Sequence, residues 1–166
     1  PTLGCGTPAI MRQDKLIFPY CYHDFKILDN GPLRFTLLLN FAPNADGVIE
    51  HRLISLDKAT HFNRMTVWYD QFNTPETLVT GLVLRGENKL KIDKDFIAYA
   101  DPTDNQKAWG STIFVGLLYP NGVDEIGKFE TITLTEQMML AAVIGAEAAG
   151  VGLGTAAFVA YMARET

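Results

Sequence analysis

The sequence predicts a mostly β protein, an antiparallel β-sandwich. Apolar and polar residues alternate with a period of two, as in strands that bury one face. Turn-forming residues recur between these runs at short and even intervals. Because the connections are too short to hold a helix, neighbouring strands are expected to run antiparallel. Several short strands at this spacing are typical of two packed sheets.

The clearest predicted strand runs from Leu33 to Phe41, where apolar residues occupy every second position. Turn-forming residues at 30–32 and 43–47 bound this run. Further runs of strand character follow in chain order: Ile49–Leu56, Arg64–Asp70, Leu78–Leu84, Phe96–Ala100, Thr112–Tyr119 and Phe129–Leu134. The apolar phase of the best-defined strands is predicted to form the core, namely Phe35, Leu37, Leu39, Val67, Val115 and Leu117.

The tail, residues 136–166, is apolar and rich in glycine and alanine. Alanine favours a helix and glycine opposes one, so three interpretations stay open. They are two closing strands (Met138–Ile144 and Ala156–Met162), a buried helix or helix pair, and a membrane-spanning helix. We favour the closing strands, joined by a loop that keeps Glu147 in solvent, because a buried carboxylate is costly. Residues 1–166 then form one domain or a fragment of one.

The composition of the chain excludes several classes of function. The chain has 166 residues, 48% of them apolar, which is enough for a real core. Its net charge is -5 and no Lys/Arg cluster is present, which excludes a nucleic-acid interface because phosphates need clustered cations. We expect no metal site, since neither the cysteines nor the histidines have zinc-ligand spacing. We also expect no cofactor and no membrane contact. Cys5 and Cys21 would form one bridge in an exported protein and stay free thiols otherwise.

One predicted hairpin, residues 49–70, concentrates acid–base groups, cations and aromatic rings. Alternation places Arg64, Trp68 and Asp70 on one face of its second strand. If Glu50 and Arg52 of the first strand share that face, the hairpin resembles a sugar-binding surface. An indole stacks on the C–H face of a sugar ring while charged groups reach its hydroxyls. The competing interpretation is a solvated face with cross-strand ion pairs.

Two histidines are candidates for acid–base chemistry. His61 lies at the predicted hairpin turn, and His23 lies in a tyrosine-rich segment where Tyr22 could line a pocket. The ordinary alternatives are a surface histidine bonded to the turn backbone and a packed histidine paired with an aspartate. The complete predicted set is catalytic His61, His23, Glu50 and Asp70, with Arg52, Arg64, Trp68, Trp109 and Tyr22 binding substrate.

Three segments resemble an uncharacterised bacterial family, the domain of unknown function 4861. They are LDNGPLR at 28–34, ISLDKATHFNR at 54–64 and IAYADPTDN at 97–105. The resemblance covers residues 4–135 and implies a galactose-mutarotase-like β-sandwich (a supersandwich). The family occurs mostly in Bacteroidota, often near polysaccharide-degrading genes. Members of that family typically end in an aromatic-rich, Trp-containing strand, and the Gly- and Ala-rich tail of this chain departs from that pattern. Members are also longer, so the resemblance implies that this chain is the C-terminal part of a larger protein. The family has no settled catalytic residues to carry over.

These observations together predict a carbohydrate-related protein of polysaccharide metabolism. Its expected chemistry is acid–base catalysis on a sugar or uronic acid, and its expected location is periplasmic or secreted. Two alternatives stay open, a non-catalytic carbohydrate-binding module and a structural domain that packs on a missing segment. The expected partners are a saccharide ligand and the remainder of a larger chain.

Overall fold

A computed structural model describes residues 3–71, 76–84, 89–101, 112–130, 138–147 and 154–163. All regular structure in these ranges is strand, in two antiparallel sheets, which confirms the predicted mostly β sandwich. The strands are β1 (Ala9–Arg12), β2 (Lys15–Ile17), β3 (Tyr22–Asn30), β4 (Arg34–Phe41), β5 (Ile49–Asp57), β6 (Phe62–Asp70), β7 (Glu76–Leu84), β8 (Leu90–Ile92), β9 (Phe96–Asp101), β10 (Thr112–Leu118), β11 (Glu125–Glu130), β12 (Met138–Glu147) and β13 (Gly154–Ala163).

The two sheets differ in size. The larger sheet has eight strands in the order β3-β4-β5-β6-β13-β10-β9-β8, and the smaller has five in the order β11-β12-β7-β1-β2. We call the face of the larger sheet that packs on the smaller one its inner face, and the opposite face its outer face. Each sheet combines strands from distant parts of the chain, so the sandwich closes only when the tail strands insert.

The tail forms two strands, as the closing-strand interpretation predicts and both helical interpretations do not. β13 lies between β6 and β10, and β12 lies between β11 and β7. The loop position predicted for Glu147 is wrong, because pairing with β7 continues past an irregularity after Val143 and brings Glu147 opposite Glu76. No helix in the described part of the chain has the length and apolarity to cross a membrane.

The main core lies between the two sheets and is contributed by both. Its buried members are Ile10, Val48, Met65, Val67, Tyr69, Leu78, Leu82, Leu84, Ile97, Tyr99, Leu117 and Tyr119. Val67 and Leu117 are therefore buried as predicted, and Val115 packs against this cluster while partly exposed. Burial of aliphatic and aromatic side chains between the sheets is the main source of stability.

Phe35, Leu37 and Leu39 of β4 depart from the predicted burial, because they are only half-buried. Their phase is correct: Leu37 pairs with Ile54, which pairs with Met65 of the core, so these side chains lie on the inner face. The smaller sheet does not extend over them, and every residue of neighbouring β3 is exposed. Period alone predicts which side chains share a face but not whether another layer covers that face.

Several elements were not predicted. β2 and β8 have three residues each, and β3 mixes charged and apolar residues on an uncovered edge, so none of them shows a clean alternation. Strand β1 was not predicted either. β11 begins at Glu125, four residues before the predicted start at Phe129, and residues 131–134 of that prediction lie outside the described residues.

Cys5 and Cys21 are both free and exposed.

Candidate functional site

The register of the β5–β6 hairpin divides its functional side chains between the two faces. His51 pairs with Trp68, whereas Glu50 pairs with Tyr69 and Arg52 with Val67. Directly paired residues of antiparallel strands project to the same face. The prediction that Glu50 and Arg52 share a face with Trp68 and Asp70 is therefore wrong. His51 takes that place, and Glu50 and Arg52 point to the inner face.

The outer face carries a connected set of side chains that we call the His51 cluster: Asp24, Asn40, His51, Trp68 and Asp70. The His51 ring lies parallel to the indole of Trp68, with centroids 5.2 Å apart and planes at 16°. Its Nδ1 lies 2.8 Å from Asn40 Oδ1, and its Nε2 lies 3.0 Å from Asp70 Oδ2. Asn40 in turn donates from Nδ2 to Asp24 Oδ2 at 3.2 Å.

Both ring nitrogens of His51 have oxygen partners. Because the Asn40 amide nitrogen donates to the carboxylate of Asp24, its Oδ1 faces His51 as an acceptor. Asp70 also presents an acceptor, so both ring nitrogens of His51 meet acceptors. Each ring nitrogen of His51 can donate to the oxygen beside it when that nitrogen carries a hydrogen. Asp70 keeps a second carboxylate oxygen and is about half exposed.

The inner face carries a second set, which we call the Glu50 cluster: Phe41, Glu50, Arg52 and Tyr69. Glu50 is 2% exposed and its Oε1 accepts a hydrogen bond from Arg52 Nε, two residues along the same strand. The Arg52 guanidinium also lies 4.5 Å from the ring centroid of Phe41, in cation–π contact. Tyr22 of edge strand β3 meets Phe41 edge-on, with centroids 6.5 Å apart.

Burial changes the acidity of the Glu50 cluster. Desolvation raises the pKa of Glu50 above its ordinary value of 4.5, and the nearby Arg52 and Tyr69 oppose that rise. Burial is also the main reason why the pKa of Tyr69 lies well above its ordinary value of 10, with the Glu50 carboxylate adding to the effect. A perturbed carboxyl often marks a functional site, but this one is enclosed in the core next to buried Tyr69. We interpret this cluster as a buried structural ion pair.

The other predicted site residues are dispersed. Arg64 is exposed on the outer face of β6, four residues from Trp68. His61 is exposed and immediately precedes the first residue of β6. It lies seven residues from Trp68, which corresponds to roughly 23 Å of extended chain. His23 and Tyr22 are exposed on β3. Trp109 lies outside the described residues.

His51 is the functional candidate that the sequence did not single out. The sequence does place His51 among the acid–base groups of the hairpin. Whether its side chain shares a face with Trp68, however, depends on the register between β5 and β6. Arg34, also on the outer face, pairs with Asp57 across β4 and β5 through two hydrogen bonds of 2.5 and 2.9 Å. This exposed ion pair fits the competing interpretation of a solvated face, and such a pair contributes little to stability.

A separate concavity on the outer face spans β9 and β10. Its volume is about 230 Å³, and it is lined by backbone and apolar side chains that include Phe62, Phe96, Phe114 and Leu118. Sugar sites need convergent polar groups beside an aromatic ring, and the side chains that are described in this groove are almost all apolar. Among the described residues, no group of three or more His, Cys, Asp or Glu side chains is placed to hold a metal ion.

The fold and this surface define a class of protein, a two-sheet antiparallel β-sandwich with a polar aromatic cluster on the outer face of its larger sheet. The chain belongs to the family described as "Domain of unknown function (DUF4861)", whose model matches residues 1–149. This confirms the resemblance drawn from the three sequence segments. The match also extends through β12, so the first tail strand is within the family pattern.

Two curated relatives have no stated function. An "Uncharacterized protein P7" of Formosa agariphila is 25% identical over 143 residues, which is 82% of this chain and 34% of that protein. An "Uncharacterized protein" of Haemophilus influenzae is 62% identical over 40 residues, 24% of this chain and 9% of that protein. The chain therefore spans about a third of the length of the first relative and less of the second.

Among solved structures, the chain is similar to one described as "Putative kojibiose phosphorylase from human microbiome". The TM-score is 0.52 at 14% identity, over 94% of this chain and 22% of that chain. At this identity the likeness shows a shared fold. It is consistent with the sandwich of two sheets seen here.

Proposed function

We propose that this chain is a saccharide-binding β-sandwich within a longer carbohydrate-related protein, and that its binding surface is the His51 cluster. The observation that carries the proposal is the Trp68 indole held parallel to an imidazole whose two nitrogens are both anchored. A sheet surface does not need such an arrangement for stability. An aromatic ring whose neighbours fix its position is the element that sugar recognition requires.

The geometry supports this role in two ways. First, the stack on His51 holds the indole in place, so less side-chain entropy is lost when a ligand binds. Second, oxygens that can accept hydrogen bonds from sugar hydroxyls lie beside the rings, on Asp70 and Asp24, with Arg64 further along the same face. Because His51 occupies one face of the indole, the sugar would stack on the opposite face. The structural likeness to a protein named for a disaccharide phosphorylase supports the choice of ligand class.

Replacing Trp68 by alanine is expected to weaken saccharide binding about tenfold, since an aromatic contact worth about 0.5–1.5 kcal/mol is lost. Titration calorimetry against a panel of neutral and acidic oligosaccharides measures this change. The matched control is Phe114→Ala, which removes another partly exposed aromatic ring from the outer face, on β10. Equal affinity in the Trp68→Ala variant and the unaltered chain would place the site elsewhere, with Trp109 the next candidate.

A second candidate function is acid–base catalysis on the bound sugar, and the Asp70–His51 contact favours it. His51 Nε2 contacts one carboxylate oxygen of Asp70, while the second oxygen can take a proton from a sugar hydroxyl or from the carbon next to the carboxylate of a uronic acid. Asp70 thus acts as the base, and the contact with His51 fixes its orientation. This differs from the roles expected for His61 and His23, neither of which is a member of the cluster.

The catalytic candidate predicts that Asp70→Asn lowers turnover by at least about a hundredfold while saccharide affinity changes little. Anomer exchange or uronate elimination can be followed by NMR. Asp57→Asn is the control, since Asp57 is an exposed acid of similar accessibility on the same face but is paired with Arg34. Binding without turnover in the unaltered chain would leave the non-catalytic module as the function.

A further inference from the structure

We propose that the inner face of β3 and β4 is the docking surface for an additional strand segment supplied by the rest of the longer polypeptide. The larger sheet has three more strands than the smaller one, eight against five. At the β3 end of the larger sheet this difference leaves an apolar surface uncovered. We call it the open face and define it by Tyr22, Phe25, Ile27, Phe35, Leu37, Leu39 and Leu56.

The open face is a continuation of the core. One cross-strand row runs Met65, Ile54, Leu37 and Ile27, and its exposed fraction rises from 9% at Met65 to 49% at Ile27. A second row runs Val67, Arg52, Leu39 and Phe25, and its exposed fraction rises from 5% at Val67 to 56% at Phe25. Arg52 is the one charged member of this row and packs over Phe41. Both rows keep one phase across four strands. The apolar side chains at their ends are therefore oriented for burial by the same layer that covers their beginnings.

The edge of the smaller sheet lies in the right place to extend. Among the described strands, β2 pairs only with β1, so its second backbone edge has no strand partner in that part of the chain. β2 is joined to β3 by residues 18–21 alone, which brings this edge close to the open face. A strand added beside β2 would use its free backbone groups and place alternate side chains over β3 and β4.

The occupant we infer is the remainder of the same polypeptide. The chain spans 34% of the length of the Formosa agariphila relative and 22% of the similar solved chain, so proteins that contain this sandwich have ample additional sequence. A contiguous apolar surface of this kind is costly to leave in water. The alternative occupant, a second copy of this chain pairing through the same surface, is an outcome that the experiment distinguishes.

The test compares the isolated 166-residue chain with the full-length gene product. Hydrogen exchange at the amides of β3 and β4 is expected to slow at least about tenfold in the full-length protein, because a covering strand suppresses local opening. Phe25→Ser should lower the melting temperature of the full-length protein by about 5 °C and leave that of the isolated chain nearly unchanged. Phe114→Ser, which removes a partly exposed ring from the outer face, is the control and should change neither.

Two results would overturn the proposal. One is equal exchange of β3 and β4 in the two proteins together with equal effects of Phe25→Ser and Phe114→Ser. The other is a dimer of the full-length protein that Phe25→Ser dissociates, since the occupant would then be a second copy. Exchange is measured on the unaltered proteins, so the comparison holds even when a variant fails to fold.

Discussion

Arg52→Met is expected to lower the free energy of unfolding by about 3–5 kcal/mol, the usual cost of removing one partner of a buried ion pair. Arg52 is 13% exposed and donates to Glu50, which is 2% exposed. Without Arg52, the carboxylate stays in the core with no cation beside it. Arg52 also packs over Phe41, so part of the loss is that contact. Urea unfolding followed by circular dichroism measures the change.

The double variant Glu50→Gln/Arg52→Met is the control, since it removes the charge that would be left unpaired. It is expected to recover much of the loss. A double variant as unstable as Arg52→Met would show that the Phe41 contact, not the ion pair, dominates.

The pH dependence gives a separate check on Glu50. Its pKa in the folded protein is raised above the ordinary 4.5, so the folded state binds the proton more tightly than the unfolded state. The contribution of Glu50 to stability is therefore highest at low pH and decreases as the pH rises from 4.5 through the raised folded pKa. Arg52→Met should enlarge this decrease and extend it to higher pH, because Arg52 no longer opposes the rise in the pKa of Glu50, and the Glu50→Gln/Arg52→Met variant should lack it. A larger deficit of Arg52→Met at pH 5 than at pH 8 would contradict this assignment.

Leu117→Ala is expected to cost about 2–5 kcal/mol, because Leu117 is 1% exposed in the main core and the substitution leaves a cavity. Leu37→Ala is the matched comparison, with the same chemical change on the same inner face. Since Leu37 is half-buried under no second sheet, its cost should be about 1 kcal/mol. Equal losses for the two variants would mean that a layer does cover β4 in the isolated chain.

The comparison between sequence and structure is most instructive at the β5–β6 hairpin. Alternation correctly placed Arg64, Trp68 and Asp70 together, and it correctly separated Glu50 from His51. The error lay in joining the two strands. β5 ends at Asp57 and β6 begins at Phe62, so residues 58–61 connect them and odd positions on β5 pair with even positions on β6. A connection longer or shorter by one residue would exchange the faces.

A similar distinction applies to burial on β4. The apolar phase of Phe35, Leu37 and Leu39 is a local property and was predicted correctly. Whether those side chains are covered depends on the extent of the smaller sheet, which is assembled from β1, β2, β7, β11 and β12. Those strands come from the beginning, the middle and the last third of the chain. No local pattern on β4 reports how far they extend.

The sequence by itself determined the mostly β class, the positions of most central strands and the inner phase of the core, whereas it left the tail open between strands and helix. These features follow from period-two alternation and turn chemistry, which act over a few residues. Only the tertiary structure decided that His51 stacks on Trp68, that Glu50 and Arg52 are buried together, and that β3 lies uncovered. Such features depend on register and on pairing between distant segments, where a shift of one residue reverses every side chain and leaves the local pattern unchanged.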